Sequence, residues 1–142
     1  GGHSQITVLK KFGMKPVPGL KITLINKNST SSYSGMIPGY IAGTYRRDDT
    51  QINLLNLCKF ANARLITDDV TGIDILAKEI YLKNRSPVYY DTLSINSGGE
   101  PDINEIKGAK KYSIPIKPIS NFIHVFDEIK NKIKRINKVS MT

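Results

Sequence analysis

The chain has 142 residues, 39% of them hydrophobic, and a formal net charge of +9 from 21 Lys and Arg against 12 Asp and Glu. This is the length of one domain with a substantial core, and no apolar run is long enough to predict a transmembrane helix. A single cysteine, Cys58, excludes an internal disulfide and a zinc site built on paired thiols. We therefore expect a domain of the reducing cytoplasm with no metal site.

The positive charge has one local concentration, in the last predicted helix. Its members are Lys130, Lys132, Lys134, Arg135 and Lys138. Such a cluster forms either a solvated helix face or an anion-binding surface. The other lysines are scattered along the chain, so we favour the solvated face and expect no nucleic-acid partner.

A glycine turn, Gly1-Gly2, leads directly into the first predicted helix, Ser4–Phe12. Apolar residues recur on one face of this helix, and Gly13 follows where a left-handed cap would end it. The alternating segment Leu20–Ile25 predicts a strand. Turn, helix and strand form the second half of a βαβ unit, whose first strand would precede Gly1.

Residues 26–43 are rich in Ser, Asn, Gly and Pro and predict a long loop, of the kind that is usually functional in a compact domain. The apolar pattern of Ile52–Phe60 predicts a helix, for which Asp49 or Thr50 could supply the N-cap. A short strand is predicted at Ala63–Thr67.

The second half of the chain begins with a predicted hairpin, Val70–Ile75 with Glu79–Lys83. A strand at Val88–Asn96 then ends in a second glycine turn, Ser97–Pro101. The last helix is predicted to start with Ser120 as its cap, and it has an apolar face made of Phe122, Ile123, Phe126, Ile129, Ile133 and Ile136. The fold class is therefore α/β, with a mainly parallel sheet and a small antiparallel β-meander.

A glycine turn before a helix lets backbone amides face a pyrophosphate. The usual G-x-G-x-x-G pattern is incomplete here, because Gln5 stands at the third glycine position. The segment after Leu20–Ile25 has Asn26 and Lys27 but no carboxylate to bind a ribose. These features alone give weak evidence for a dinucleotide.

Four segments together are more specific: Gly1-Gly2-His3-Ser4, Tyr33–Gly43, Tyr90–Ser94 and Lys117–Ile119. In this combination the chain resembles the pyridine nucleotide-disulfide oxidoreductase superfamily, especially its NADH dehydrogenase-like and sulfide:quinone reductase-like flavoproteins. The branch sometimes fused to selenide, water dikinase resembles it most. The resemblance implies a Rossmann-like FAD/NAD(P)-binding fold without its first strand. Residues 1–119 would be a partial FAD-binding domain, and residues 120–142 a helix leading to a missing NAD(P)H-binding domain.

The resemblance also implies a set of cofactor-binding residues. Those expected at the FAD pyrophosphate and ribose are Gly1, Gly2, His3, Ser4, Asn26 and Lys27. Those expected beside the isoalloxazine, near the adenine and on the opposite side of the cofactor are Tyr33, Ser34, Gly35, Pro38, Val70, Ser97 and Gly98. Lys117 is the candidate catalytic residue, a cation that would stabilise the reduced flavin.

By the same resemblance, the full-length parent would pass electrons from NAD(P)H through FAD to a quinone or another acceptor. This chain alone would be inactive, because it lacks the nicotinamide site. Self-association and peripheral membrane contact are left open. Two alternatives also remain: a cofactor-free interaction domain on a flavoprotein fold, and a basic nucleic-acid-binding α/β module.

Overall fold

The computed structural model describes residues 2–99 and 102–139, with side chains up to residue 136. The chain forms two compact units, Gly1–Ser97 and Gly98–Thr142. The first contains all the strands described, and the second is helical.

The helices of the first unit are α1 (His3–Met14), α2 (Ile37–Ile41) and α3 (Leu54–Phe60), with 3-10 turns at Ser34–Met36 and Asp48–Thr50. Its strands are β1 (Thr23–Asn26), β2 (Thr30–Ser32), β3 (Gln51–Asn53), β4 (Arg64–Thr67), β5 (Val70–Asp74), β6 (Glu79–Leu82) and β7 (Val88–Tyr89). The second unit has α4 (Ala109–Tyr112) and α5 (Ile119–Val139). Among the described residues, no helix combines the length and apolarity needed to cross a membrane.

The predicted α/β fold class is confirmed. Strands β1 and β4 pair in parallel, β2 and β3 pair antiparallel, and β5, β6 and β7 form a three-stranded antiparallel sheet. The balance between the two kinds of pairing differs from the expectation, since the described residues contain a single parallel pair. The predicted hairpin is present as β5 and β6.

Two apolar clusters lie among the described residues of the first unit. Helices α1 and α3 cover β1 and β4 with one cluster, whose buried members are Leu9, Leu24, Leu54, Cys58 and Ala61. The hairpin closes a second cluster over β4, with Ile66, Ile80 and Leu82 at its centre. Cys58 is thus a buried packing residue, and burial raises the pKa of its thiol.

The prediction that Gly13 ends the first helix is wrong. Helix α1 continues through Gly13 to Met14, and Lys15 is its C-cap residue. A side chain at Gly13 would overlap the ring of Phe60 at the end of α3. This glycine therefore serves the close approach of two helices rather than a left-handed turn.

The predicted N-caps are also wrong. Neither Asp49 nor Thr50 caps α3, because residues 51–53 pair with β2 before the helix begins. The N-cap residue is Asn53, and its Oδ1 atom accepts a hydrogen bond from the Asn56 amide at 2.9 Å. Ser120 lies inside the first turn of α5. There the carbonyl of Pro118 accepts the amides of residues 121 and 122, at 3.1 and 3.2 Å.

Two further predicted segments differ in the structure from what the sequence indicated. The predicted loop at residues 26–43 contains β2, a 3-10 turn and α2. The predicted strand Val88–Asn96 is shortened to Val88–Tyr89, because residues 94 and 96 form hydrogen bonds with the start of α1 instead of extending the sheet.

We predict that Leu54→Ala lowers the free energy of unfolding by about 2–5 kcal/mol, since it leaves a cavity in a packed core. Leu54 has no exposed surface, whereas its neighbour Leu55 is 46% exposed. The matched variant Leu55→Ala should therefore cost far less. Urea denaturation of both variants measures the difference, and equal losses would contradict the assigned core.

Candidate cofactor-binding site

The N-cap residue of α1 is Gly2, a glycine, which has no side chain to cap the helix. The first turn of this helix contains no acidic residue. An uncapped helix leaves its first amides without partners and carries partial positive charge at this end. The position therefore favours an anion.

A neighbouring segment of the same unit lies against this helix start. Gln5 donates hydrogen bonds to the carbonyl and the hydroxyl oxygens of Ser94, at 3.1 and 2.9 Å. The side-chain amide of Asn96 donates to the Ser4 hydroxyl at 3.2 Å. Gln5, which replaces the third glycine of the fingerprint, thus connects the helix to residues 94–96.

Gly2 is required by this contact for steric reasons. A Cβ atom on Gly2 would overlap the side chain of Asn96 and lie 2.8 Å from its carbonyl oxygen. The backbone of Gly2 has an extended conformation with negative φ, so the constraint is space and not dihedral angle. The glycine turn thus permits another group to approach the helix start closely.

His3 and Tyr33 come together at the same place, although thirty positions separate them in sequence. Their ring centroids are 4.6 Å apart and the planes are tilted by 42°. Among the described residues, no group forms a hydrogen bond with the buried Nε2 atom of His3. Two predicted cofactor-binding residues therefore meet, and one presents an unsatisfied polar atom.

The position of Tyr33 is fixed by its backbone. Its amide donates to the carbonyl of Thr50 at 2.7 Å, and Thr50 is completely buried. A Cβ atom on Gly35 would lie 3.3 Å from the Tyr33 ring, so the turn folds back tightly on that ring. The segment Tyr33–Gly35 is therefore a turn held in place by these contacts, and the Tyr33 ring contacts the ring of His3.

The predicted ribose residues lie where β1 ends. Asn26 donates from its side-chain amide to the Asn28 carbonyl at 2.7 Å. Lys27 forms an ion pair with Asp69 at 3.4 Å, and both side chains are exposed. Both predicted residues therefore have protein partners here. Val70, expected near adenine, is the first residue of β5 and is half exposed.

The remaining predicted residues are placed as follows. Ser34 begins a 3-10 turn, Pro38 lies in the first turn of α2, and Ser97 directly follows Asn96. Gly98, with positive φ, and the exposed Lys117 belong to the second unit, and Gly1 lies outside the described residues. The cofactor roles of all these residues stay predictions.

Asp68 is a buried carboxylate that the sequence analysis did not single out. It accepts hydrogen bonds from the Asp69 amide at 2.8 Å and from the amide and side chain of Asn84 at 3.2 and 2.9 Å. Arg85 lies 3.8 Å away. Burial raises the pKa of Asp68, but these hydrogen bonds and the guanidinium outweigh it and lower the pKa overall. Its only sequence signal was an Asp pair directly after a strand.

The described residues contain no group of three or more His, Cys, Asp or Glu side chains placed to hold a metal ion. His124 is exposed, and its Nε2 atom lies 3.4 Å from a carboxylate oxygen of Glu128 one turn later.

We predict that Gly2→Ala destabilises the chain by about 1–3 kcal/mol, because the new methyl group displaces residues 94–96. Gly99→Ala is the matched control, since a Cβ there would meet nothing within 4 Å. Chemical denaturation gives the cost. Faster amide hydrogen exchange at residues 94–96 in Gly2→Ala alone would locate it, and equal behaviour of the two variants would contradict the contact.

We predict that Asp68→Asn lowers stability at pH 7 by removing a charge that four donors surround. The native pKa is lower than the unfolded one, so ionised Asp68 stabilises the fold above about pH 4 and this stabilisation is lost as the pH falls through the native pKa. The difference between wild type and variant should therefore shrink in acid. The exposed Asp48→Asn is the control, and urea titrations at a series of pH values measure the effect. A gap that stays constant down to pH 2 would be the contrary result.

Comparison with known proteins gives two relevant similarities. The chain is 25% identical over 134 residues to the NADH dehydrogenase-like protein YutJ of Bacillus subtilis (strain 168). The match covers 92% of this chain and 36% of the relative, so the chain spans about a third of that protein's length. No protein-family profile matches the chain.

The second similarity is structural. The fold superimposes with a TM-score of 0.51 on the sulfide:quinone oxidoreductase from the hyperthermophilic bacterium Aquifex aeolicus, at 23% identity, over 61% of this chain and 20% of that chain. This match shows the Rossmann-like α/β fold. Together the two similarities confirm the resemblance to the pyridine nucleotide-disulfide oxidoreductase superfamily that the motifs predicted, over part of the length of those proteins.

Proposed function

We propose that this chain is the FAD-binding segment of an NAD(P)H-dependent flavoprotein oxidoreductase. The observation that carries the proposal is the meeting of His3 and Tyr33 at the uncapped start of α1. The similarity to an NADH dehydrogenase-like protein over 92% of the chain supports it.

The residues at this place fit a dinucleotide. The amides and positive end of α1 suit a pyrophosphate, and His3 offers a polar atom for which the described residues supply no partner. The Tyr33 ring is half exposed and could pack against a planar group. Bound FAD would supply the redox chemistry, taking two electrons from NAD(P)H and delivering them to a quinone or another acceptor.

The chain's own residues would bind and orient the cofactor. Gly2 leaves room for Asn96 beside the helix start, while Ser4 and Gln5 form hydrogen bonds with Asn96 and Ser94. We further propose that Asn26 and Lys27 bind the ribose, and that the ammonium of Lys117 stabilises negative charge on the cofactor.

The proposal also includes the nicotinamide-binding domain and the cellular location of the full-length protein. The curated relative is almost three times as long as the matched region. This length supports a nicotinamide-binding domain elsewhere in the polypeptide that carries the present sequence. A cytoplasmic location is part of the same hypothesis.

The first experiment is the visible spectrum of the full-length polypeptide that carries this sequence, before and after addition of NADH. We expect flavin bands at about 370 and 450 nm that bleach on reduction. If no flavin co-purifies and none binds when it is supplied, the proposed function is wrong.

A charge placed at the helix start tests where FAD binds. Ser4→Asp puts a carboxylate in the first turn of α1, where it favours the empty helix but repels a pyrophosphate. We expect the affinity for FAD to fall about tenfold or more while the unliganded protein stays as stable as wild type. Thr7→Asp adds the same charge one turn later and should have a much smaller effect. Similar losses in both variants would place the pyrophosphate elsewhere.

A further inference from the structure

The first unit has an exposed surface at the edge where strands β1 and β4 begin. Helices α1 and α3 both end at this edge, and the Arg64 amide donates to the carbonyl of Ile22 at 2.8 Å. A Cβ atom on Gly13 would overlap the ring of Phe60, so the two helix ends are in contact. We call these helix ends, the turn at residues 15–21 and the first residues of the two strands the strand-start surface.

Large apolar side chains of the strand-start surface are exposed to solvent. The Phe60 ring remains 54% exposed although it packs on Gly13, and Met14 at the end of α1 is exposed beside that glycine. The Leu20 amide donates to the carbonyl of Val17 at 3.2 Å and closes the turn, and both of these side chains are exposed. A group of apolar side chains at one edge of a domain is typical of an interaction site.

The elements that form the strand-start surface carry positive charge and no negative charge. Neither residues 3–25 nor residues 54–67 contain an aspartate or a glutamate. The carboxylates of Asp68 and Asp69 follow β4 at the other end of the strand pair. An anionic partner would therefore meet cations here without opposing carboxylates from these elements. The exposed cations in the two segments are Lys10, Lys11, Lys15, Lys21, Lys59 and Arg64.

The combination of apolar and cationic groups favours a lipid bilayer over other anionic partners. The side chains of Met14, Val17 and Leu20 offer no hydrogen-bond donor to a nucleic-acid backbone, whereas their transfer from water into the headgroup region of a bilayer is favourable. Five of the six cations are lysines, whose aliphatic stems can lie along apolar groups while the ammonium reaches an anionic headgroup. All residues from 14 to 21 are exposed, so this turn projects from the unit and can enter a soft surface without a matching groove.

We propose that the strand-start surface binds the anionic face of a lipid bilayer, with Met14, Val17 and Leu20 inserted among the headgroups and the lysines beside lipid phosphates and carboxylates. The start of α1, where we propose cofactor binding, is at the opposite end of that helix. The bilayer contact therefore does not depend on FAD, and both sites can be occupied at the same time.

The test measures how the full-length polypeptide that carries this sequence cosediments with lipid vesicles. We expect binding to phosphatidylcholine vesicles that contain about one third phosphatidylserine, and little binding to vesicles of phosphatidylcholine alone. Binding should weaken as the salt concentration rises, because salt screens the attraction between exposed charges.

A pair of charge reversals tests the cationic part of the surface. Lys15→Glu/Lys21→Glu should lower the affinity for the phosphatidylserine vesicles by about thirtyfold or more. Lys132→Glu/Lys134→Glu makes the same change of net charge at exposed positions of α5 in the second unit, and should lower it by less than about threefold. The comparison separates the strand-start surface from a general effect of net charge.

A triple substitution tests the apolar part of the surface. Met14→Ser/Val17→Ser/Leu20→Ser leaves every charge in place and should lower the affinity for the same vesicles by about tenfold or more. Ile75→Ser/Leu76→Ser removes two apolar side chains that are even more exposed, at the turn between β5 and β6, and should bind like wild type. Because all five side chains are exposed, the melting temperatures of both variants should stay close to that of wild type.

Four results would overturn the inference. The first is an absence of binding to the phosphatidylserine vesicles. The second is an equal loss in the two charge-reversal pairs, which would show attraction by net charge alone. The third is unchanged binding of the triple serine variant, which would show adsorption without insertion. The fourth is a double-stranded DNA fragment that displaces the vesicles and loses its own binding in Lys15→Glu/Lys21→Glu, which would assign the surface to nucleic acid.

Discussion

The first unit depends on a parallel pair of short strands that two helices cover. Strands β1 and β4 have four residues each, and a pair of this size is not stable by itself. Leu9 of α1 and Leu54 of α3 bury the pair in a common cluster. Removal of apolar surface from water thus fixes the position of α1, and with it the position of His3 and Ser4.

Helices α1 and α3 differ in the residue that caps their N-terminal end. Helix α3 is capped by Asn53, whose side chain accepts a hydrogen bond from the Asn56 amide. Helix α1 begins at a glycine and has no cap. A cap on α1 would add about 1 kcal/mol of stability, as it does for helices in general. We interpret the missing cap as stability given up so that the helix start can accept an external group.

Most of the local structure of the first unit follows from sequence periodicity. Alternation of apolar residues predicted β1, and short apolar segments predicted β4 and the β5–β6 hairpin. In the structure β1 and β4 contribute to both apolar clusters, with Leu24 in one and Ile66 in the other. The errors arose where a distant residue decides the local outcome. Gly13 remains helical because Phe60 packs on it, and α3 starts late because β3 pairs with β2.

The sequence likewise predicted some residues of the candidate site and missed others. The family resemblance selected His3 and Tyr33, and the structure brings them together. It did not indicate the contact of Asn96 with Gly2, because spacing in sequence carries no information about two backbone segments that meet across the fold. Asp68 was missed for the same reason, since its partners Asn84 and Arg85 come from the far side of the hairpin.

Asp68 and the Nε2 atom of His3 are two buried polar groups that differ in their partners. The carboxylate of Asp68 is buried among donors that the protein itself supplies, so it needs no ligand and ties β4 to the residues that follow β6. The imidazole of His3 has a buried nitrogen for which the described residues supply no partner. The first group is thus satisfied within the protein, whereas the second has no partner among the described residues, and this contrast is the reason why we propose ligand binding at the start of α1.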